Sequence, residues 1–355
     1  HLFNFVDSFV VHEGETPLLR LVEQLRGDGD LSKVPNLVYK QDGEVKVNRP
    51  FAKEELNALP TPDFDGLPLD LYLSPERVLP VMGSRGCYWE QCAFCSIPFD
   101  HMTFHVRYAE NVVNDFKTLQ EKYNCNNFFF TDEALPINFL RTFAAKIIEQ
   151  KVDVQWTGEL KFEKSLLKDD RMDLLYKSGC RKLIFGLESY NQRVLDSMKK
   201  GVELSWVDET AERCMKLGIA MHFYLICGFP TETREEVMDS INFVLNNQRL
   251  LDSPGFSAIL SQFDLERGAP IENAPEEWGI SKLYTPPEHD LSLGYSYETS
   301  IGMNAEETSE LYQELIEKLG REVMTFPHNY SLSDGLLYLA YHQKNSLTER
   351  LGAFA

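Results

Sequence analysis

The residues best suited to chemistry are three cysteines within nine positions, Cys87, Cys92 and Cys95, in the stretch CYWEQCAFC. Intervals of four and two residues, on a loop leaving an apolar run, let three thiols converge on one metal centre. Thiolate is a soft ligand that selects zinc or an iron–sulfur cluster. A structural zinc site and a cluster closed on all sides each take four protein ligands. Only three cysteines are local here, which leaves one position open, as a catalytic role requires. Two other readings stand beside this one. The three could be small buried hydrophobes, since free cysteine is often buried, or a zinc knot completed by His101 or His105. Cys125, Cys180, Cys214 and Cys227 are scattered and are expected to pack in the core.

Composition narrows the setting of that site. The chain has 355 residues, 43% hydrophobic and 25% charged, which is globular usage with room for about two domains or one large barrel with extensions. No apolar run approaches the roughly 18 residues that cross a bilayer, so a membrane role is not expected. Lys and Arg number 35 against 55 Asp and Glu, a net charge of −20. That disfavours nucleic acid, whose phosphates need a basic face, and an anionic membrane surface. An odd count of seven cysteines in a long chain is no disulfide framework, and a reducing cytoplasm is expected. The sequence opens on His1, and part of the protein is expected to lie upstream of it.

Strands and helices alternate through the middle of the chain. Apolar runs at 78–82, 127–131, 152–156, 182–186, 220–227 and 256–263 read as strands. Helical stripes separate them, such as Val112, Phe116 and Leu119, then Phe139, Phe143 and Ile147. A capping box opens the helix at Thr233 and Glu236. Six such repeats predict an α/β fold with a parallel sheet, an open sheet or a partial (β/α)6 barrel. Its site belongs at the strand C-terminal ends. Residues 3–11 read as a strand, and Leu18, Leu19, Val22 and Leu25 as one face of a helix that Gly27 stops. Residues 28–76 read as a linker with one hairpin at 37–47. A last helix is capped by Asn304, carries Leu311, Leu315 and Leu319, and is expected to close at Gly320. The expected domains are therefore 1–27, a linker 28–76, a barrel 77–267 and a mostly helical extension 268–355.

The cysteine stretch and the strand ends together resemble the radical S-adenosylmethionine enzymes. Their signature is three cysteines after the first barrel strand, with an aromatic before the last, here Phe94. The first interval is four residues instead of the commoner three. The GCYW wording is similar to the subgroup with an N-terminal cobalamin-binding domain. The resemblance implies that Cys87, Cys92 and Cys95 hold a 4Fe–4S cluster whose open iron takes S-adenosylmethionine. It also implies cofactor contacts from Asp132 and Glu133 after the second strand, where the family's glycines are absent. Glu159 would contribute from the third strand and Glu188 with Ser189 from the fourth. Gly228 and Pro230 of GFPTET would do so after the fifth.

Residues 6–15 resemble the last strand and turn of a Rossmann-like cobalamin domain, with Gly14 and Glu15 as candidate contacts to cobalamin. The implied activity is cobalamin-dependent methylation of an unactivated carbon in a peptide or natural-product substrate. A 5′-deoxyadenosyl radical would open the reaction, and a reducing partner such as flavodoxin or ferredoxin would supply the electron. Which residues of this chain are catalytic in the chemical step is unknown from the sequence. One alternative is a radical rearrangement, or another radical step, without methyl transfer. Another is a non-catalytic zinc or iron–sulfur scaffold that binds a partner protein.

Overall fold

The computed structural model describes residues 6–27, 29–72, 76–100, 103–286 and 292–322. The expected first strand falls partly outside them, as do the end of the C-terminal extension and His101. Near the N-terminus, β1 (Ser8–Val10), β2 (Leu37–Gln41) and β3 (Glu44–Val47) form one antiparallel sheet in that order. The hairpin expected at 37–47 is present. The stretch around it is more than a linker, because β2 pairs with β1 through Phe9 and Val38. Helix α1 (Glu15–Arg26) leaves the expected apolar stripe exposed, with Leu25 68% accessible.

The main body is a sheet of six parallel strands. They are β4 (Val78–Val81), β7 (Asn127–Phe130), β8 (Gln155–Leu160), β9 (Cys180–Glu188), β10 (Ala220–Cys227) and β11 (Ser257–Gln262). A small antiparallel pair, β5 (Ser84–Arg85) and β6 (His105–Val106), brackets the cysteine loop, and the short α2 (Ile97–Asp100) follows the last cysteine. The connecting helices are α3 (Ala109–Tyr123), α4 (Ile137–Glu149), α5 (Arg171–Lys177), α6 (Gln192–Ser197), α7 (Leu204–Leu217), α8 (Arg234–Leu245) and the short α9 (Gln248–Leu251). The six strands lie side by side in chain order. With right-handed crossovers, that order puts every connecting helix on one face, the winding of a partial barrel.

The helix-covered face is the core. Val112, Phe116 and Leu119 of α3 are fully buried against Phe128 and Phe130, as their spacing predicts. Phe116 stacks on Phe128 at 4.2 Å, and Phe143 meets Trp156 edge-on at 5.8 Å. Truncating any of these rings to alanine costs about 3–5 kcal/mol. Cys125, Cys180, Cys214 and Cys227 are all buried, as expected. On β8 the opposite face is polar: Thr157 and Glu159 alternate with the buried Trp156, Gly158 and Leu160.

The extension holds strands as well as the expected helix. Among the described residues it contains β13 (Ile280–Tyr284) and β14 (Gly294–Thr299), which form an antiparallel sheet with β12 (Leu265–Glu266), just ahead of the extension, in the order β12-β14-β13. Period-two alternation in two strands of five and six residues is too short to stand out from a loop rich in Pro and Glu. One long helix follows, α10 (Ala305–Glu322), packed on α8 and β11. Asn304 caps it as expected, accepting from the Glu306 and Glu307 N–H groups, and Leu311, Leu315 and Leu319 are fully buried. Gly320 lies within the helix and does not end it, since an isolated glycine weakens a helix by only about 1 kcal/mol.

Candidate active site

Cys87, Cys92 and Cys95 lie, half-buried, on the loop that leaves β4 through β5. They are close enough that Cys95 feels both other thiols and Cys92 feels Cys87. Burial pushes the Cys92 thiol up and Cys95 to about 12. A metal must therefore displace protons to bind, and loading is favoured as the pH rises. Among the described residues no three His, Cys, Asp or Glu side chains close on a point fit for a single ion. A four-iron cube is wider than one ion. His105, a candidate fourth zinc ligand, is turned to Glu13, with Nε2 2.6 Å from Oε1.

The loop is held from three sides. The Ala93 N–H donates to Met198 O at 2.9 Å, and Ile271 N–H donates to Ala93 O at 2.9 Å. The Ser96 hydroxyl donates to Glu266 at 2.6 Å. A second core joins Ala93 and Phe94 to Val194 and Met198 of the α6 region, to Phe229, and to Ile271 and Trp278 of the extension. The extension is thus a wall of the cysteine loop. Trp89 lies across Gly201, where a Cβ would come within 2.2 Å of the indole, and the φ of +61° there also favours glycine. Its Nε1 donates to Lys199 O at 2.9 Å.

Beside Cys92 sits a buried ion pair that sequence reasoning missed. Lys200 Nζ is 2.7 Å from Glu188 Oε1. Burial works against the Lys200 charge, but Glu188 and the thiols of Cys92 and Cys87 outweigh it and raise its pKa. Glu188 ends β9 at φ +63°, a strained conformation for a non-glycine residue. Lys200 Nζ also lies 5.7 Å from the centre of the Phe94 ring, which meets Phe229 edge-on at 6.5 Å. A lone lysine after a short helix carries no spacing signal, so only the fold could place it.

The other expected residues divide into two groups. Glu159 projects from the polar face of β8 and accepts from the Tyr224 hydroxyl at 3.0 Å. Glu133 is half-buried just past β7. Thr157 Oγ1, on the same polar face, is buried with no hydrogen-bond partner. Gly228 and Pro230 shape the turn after β10. Gly228 has φ +85°, and a Cβ there would meet Thr308 Cγ2 at 2.1 Å. Glu232 folds back under that turn and accepts from the Gly228 N–H at 2.8 Å; burial raises its carboxyl to about 8.

The second group is engaged elsewhere. Ser189 is fully buried, its hydroxyl 3.2 Å from Ser240 on α8. Asp132, expected to meet a cofactor, is also buried. It accepts from the Gly83 N–H at 2.9 Å and the Ser84 hydroxyl at 2.5 Å, fixing the exit of β4 into the cysteine loop. Gly14 caps α1, and a side chain there would meet nothing within 4 Å. Glu15 is 2.5 Å from Arg85, and the buried Glu13 is 3.1 Å from the same guanidinium. The N-terminal unit is thereby pinned two residues ahead of Cys87.

Asp132 gives a pH-dependent expectation. Burial raises its carboxyl to about 7, against the Gly83 and Ser84 donors, which favour the charged form. The unfolded chain loses this proton near the ordinary 3.8, whereas the folded protein keeps it to about 7. The folded state binds more protons in that window, so this group's contribution to stability falls as the pH rises through it and then levels off. Asp132→Asn keeps an acceptor for Gly83 and offers an N–H to Ser84. Urea unfolding of the metal-free protein is expected to show the variant gaining on the order of 1–3 kcal/mol relative to wild type between about pH 5 and pH 7.5. An equal slope in both proteins would refute the assignment.

Comparison with known proteins agrees with this geometry. Residues 81–244 match the model of the Radical SAM superfamily. A protein of Pyrococcus horikoshii named as an uncharacterized methyltransferase is 30% identical over 248 residues, covering 67% of this chain and 52% of that protein. The bacteriochlorophyllide d C-12(1)-methyltransferase of Chlorobaculum tepidum is 25% identical over 187 residues, 52% of this chain and 40% of its own length. The chain spans about half the length of the curated relatives it matches. Among solved structures, the radical S-adenosylmethionine methyltransferase TsrM from Kitasatospora setae superposes with a TM-score of 0.69 at 16% identity. That match covers 96% of this chain and 74% of TsrM. The cobalamin-dependent radical enzyme OxsB gives 0.62 at 15% identity, covering 97% and 58%. The expected partial barrel is the shared fold, and the chain belongs to the Radical SAM superfamily.

Proposed function

We propose that this chain is the catalytic part of a cobalamin-dependent radical S-adenosylmethionine enzyme that transfers a methyl group to carbon in a peptide or natural-product substrate. The observation that carries the reading is the set of three thiols, and no fourth neighbouring cysteine, on the loop after β4. Its ligand set suits a cluster with one iron left for a cofactor. When bound, the cluster supplies the electron that cleaves S-adenosylmethionine, and cobalamin supplies the methyl group.

The chain's own residues bind and orient. Cys87, Cys92 and Cys95 would hold the cluster, and Phe94, next to Cys95, packs against Phe229. Lys200, a buried cation beside Cys92, suits the carboxylate of S-adenosylmethionine, with Glu188 fixing its position. In this reading Glu133 and Glu159 would serve the amino group and the substrate side, and the Gly228–Pro230 turn would offer backbone to the rest of the cofactor. Asp132 and Ser189 support this site from beneath. Gly14 and Glu15 stand at the edge where a cobalamin domain would meet the barrel. A cytoplasmic reducing partner such as flavodoxin or ferredoxin would supply the electron.

The test is the fate of the methyl group. Anaerobically reconstituted protein, given reduced cobalamin and S-adenosylmethionine with a deuterated methyl, is expected to form S-adenosylhomocysteine and labelled methylcobalamin. Formation of 5′-deoxyadenosine without either would remove methyl transfer and leave the rearrangement reading.

A further inference from the structure

A second lysine stands at the cysteine loop with no part in the chemistry described. Lys161 follows β8 directly and is 6% exposed. Its Nζ donates to Gly201 O at 2.6 Å and lies 4.1 Å from the centre of the Trp89 ring. Trp89 sits between Cys87 and Cys92 in the chain, so this ammonium rests against the loop that carries them. The two lysines differ in how their charge is met. Lys200 is paired with Glu188, whereas Lys161 is held by a carbonyl oxygen and an indole face. Burial lowers the Lys161 ammonium to about 8 and the Lys200 charge adds to that, while Glu163 and the thiols of Cys92 and Cys87 work the other way, so the charge is held at neutral pH against a cost.

Burying an ammonium is costly, and an apolar side chain would support Trp89 equally well. The charge is accounted for if the loop itself becomes anionic. A cluster held by three thiolates is anionic, and one more electron makes it more so. Cluster potentials respond to net charge, burial and hydrogen bonding.

We infer that Lys161 is a positioning and charge-tuning residue for the cluster. It stabilises the reduced state through its fixed ammonium and so eases electron uptake from the donor. The inference rests on the proposed function, since it needs a cluster to act on.

The experiment compares wild type with Lys161→Gln, which keeps the hydrogen bond without the charge, and Lys161→Arg, which keeps the charge. Each protein is reconstituted anaerobically and assayed for iron and sulfide. Each is then titrated against potential while the reduced cluster is followed by electron paramagnetic resonance. The midpoint of the Gln variant is expected to move to more negative potential, with the Arg variant staying at the wild-type value. Assembly of the cluster in Arg but not in Gln likewise supports a requirement for charge. A Gln variant with a full cluster and the wild-type midpoint overturns the inference, as does loss of the cluster in Gln and Arg alike, because shape would then be what matters. Wild type that holds no four-iron cluster would defeat the underlying functional reading instead.

Discussion

Cys92→Ala is expected to leave a folded chain that binds almost no iron and cleaves no S-adenosylmethionine. The thiol is half-buried on a loop, outside the apolar cores, so its removal leaves the packing nearly intact. It is one of only three local ligands, however, and two thiolates do not hold a cubane. Cys214→Ala is the matched control. Cys214 is fully buried on α7 within the main core, so its loss lowers stability slightly and leaves the iron content unchanged. Iron and sulfide analysis after anaerobic reconstitution separates the two. Equal iron in Cys92→Ala and wild type would mean that these thiols are packing residues.

The second large effect is expected far along the chain from the cysteines. Trp278 is 4% exposed in the core shared by the extension and the cysteine loop. Its Nε1 donates to Ser197 O at 2.9 Å, and Lys199 lies 4.7 Å over its ring. Trp278→Ala removes a large buried ring and leaves a carbonyl without its donor, a loss of about 3–5 kcal/mol. Because Met198 and Ile271 of the same core hold Ala93 by hydrogen bonds, part of that loss should reach the cysteine loop. The variant is expected to unfold at lower urea and to lose its cluster faster under a chelator. A destabilised variant whose cluster is as durable as wild type would show that the extension does not support the loop.

These two expectations mark what the sequence could and could not reveal. Local signals were legible. Alternating apolar runs and helical stripes gave the order of six parallel strands, and Thr233 with Glu236 forms the expected capping box. The cysteine spacing marked the loop itself. Residues that act across long separations were not legible. Lys161 and Lys200 reach the loop only because β8 and the turn after α6 fold against it, and nothing in their own neighbourhoods marks them. Glu13 and Arg85 meet across 72 positions. Asp132 follows β7 as expected, but its side chain turns inward to Gly83 and Ser84. A buried carboxylate follows the nearest backbone donor, here Gly83, and spacing does not encode that direction. The β13–β14 pairing was missed because its strands are short and half-exposed, so the apolar alternation is faint.

The proposed chemistry needs the three thiols to hold an iron–sulfur cluster with one iron free to bind S-adenosylmethionine. The most direct measurement is electron paramagnetic resonance of the reduced, reconstituted protein before and after that cofactor is added, alongside iron and sulfide analysis. About four irons and about four sulfides per chain are expected, with a signal that changes on addition of the cofactor. A colourless protein holding one zinc, or a four-iron cluster whose signal the cofactor leaves untouched, would contradict that chemistry.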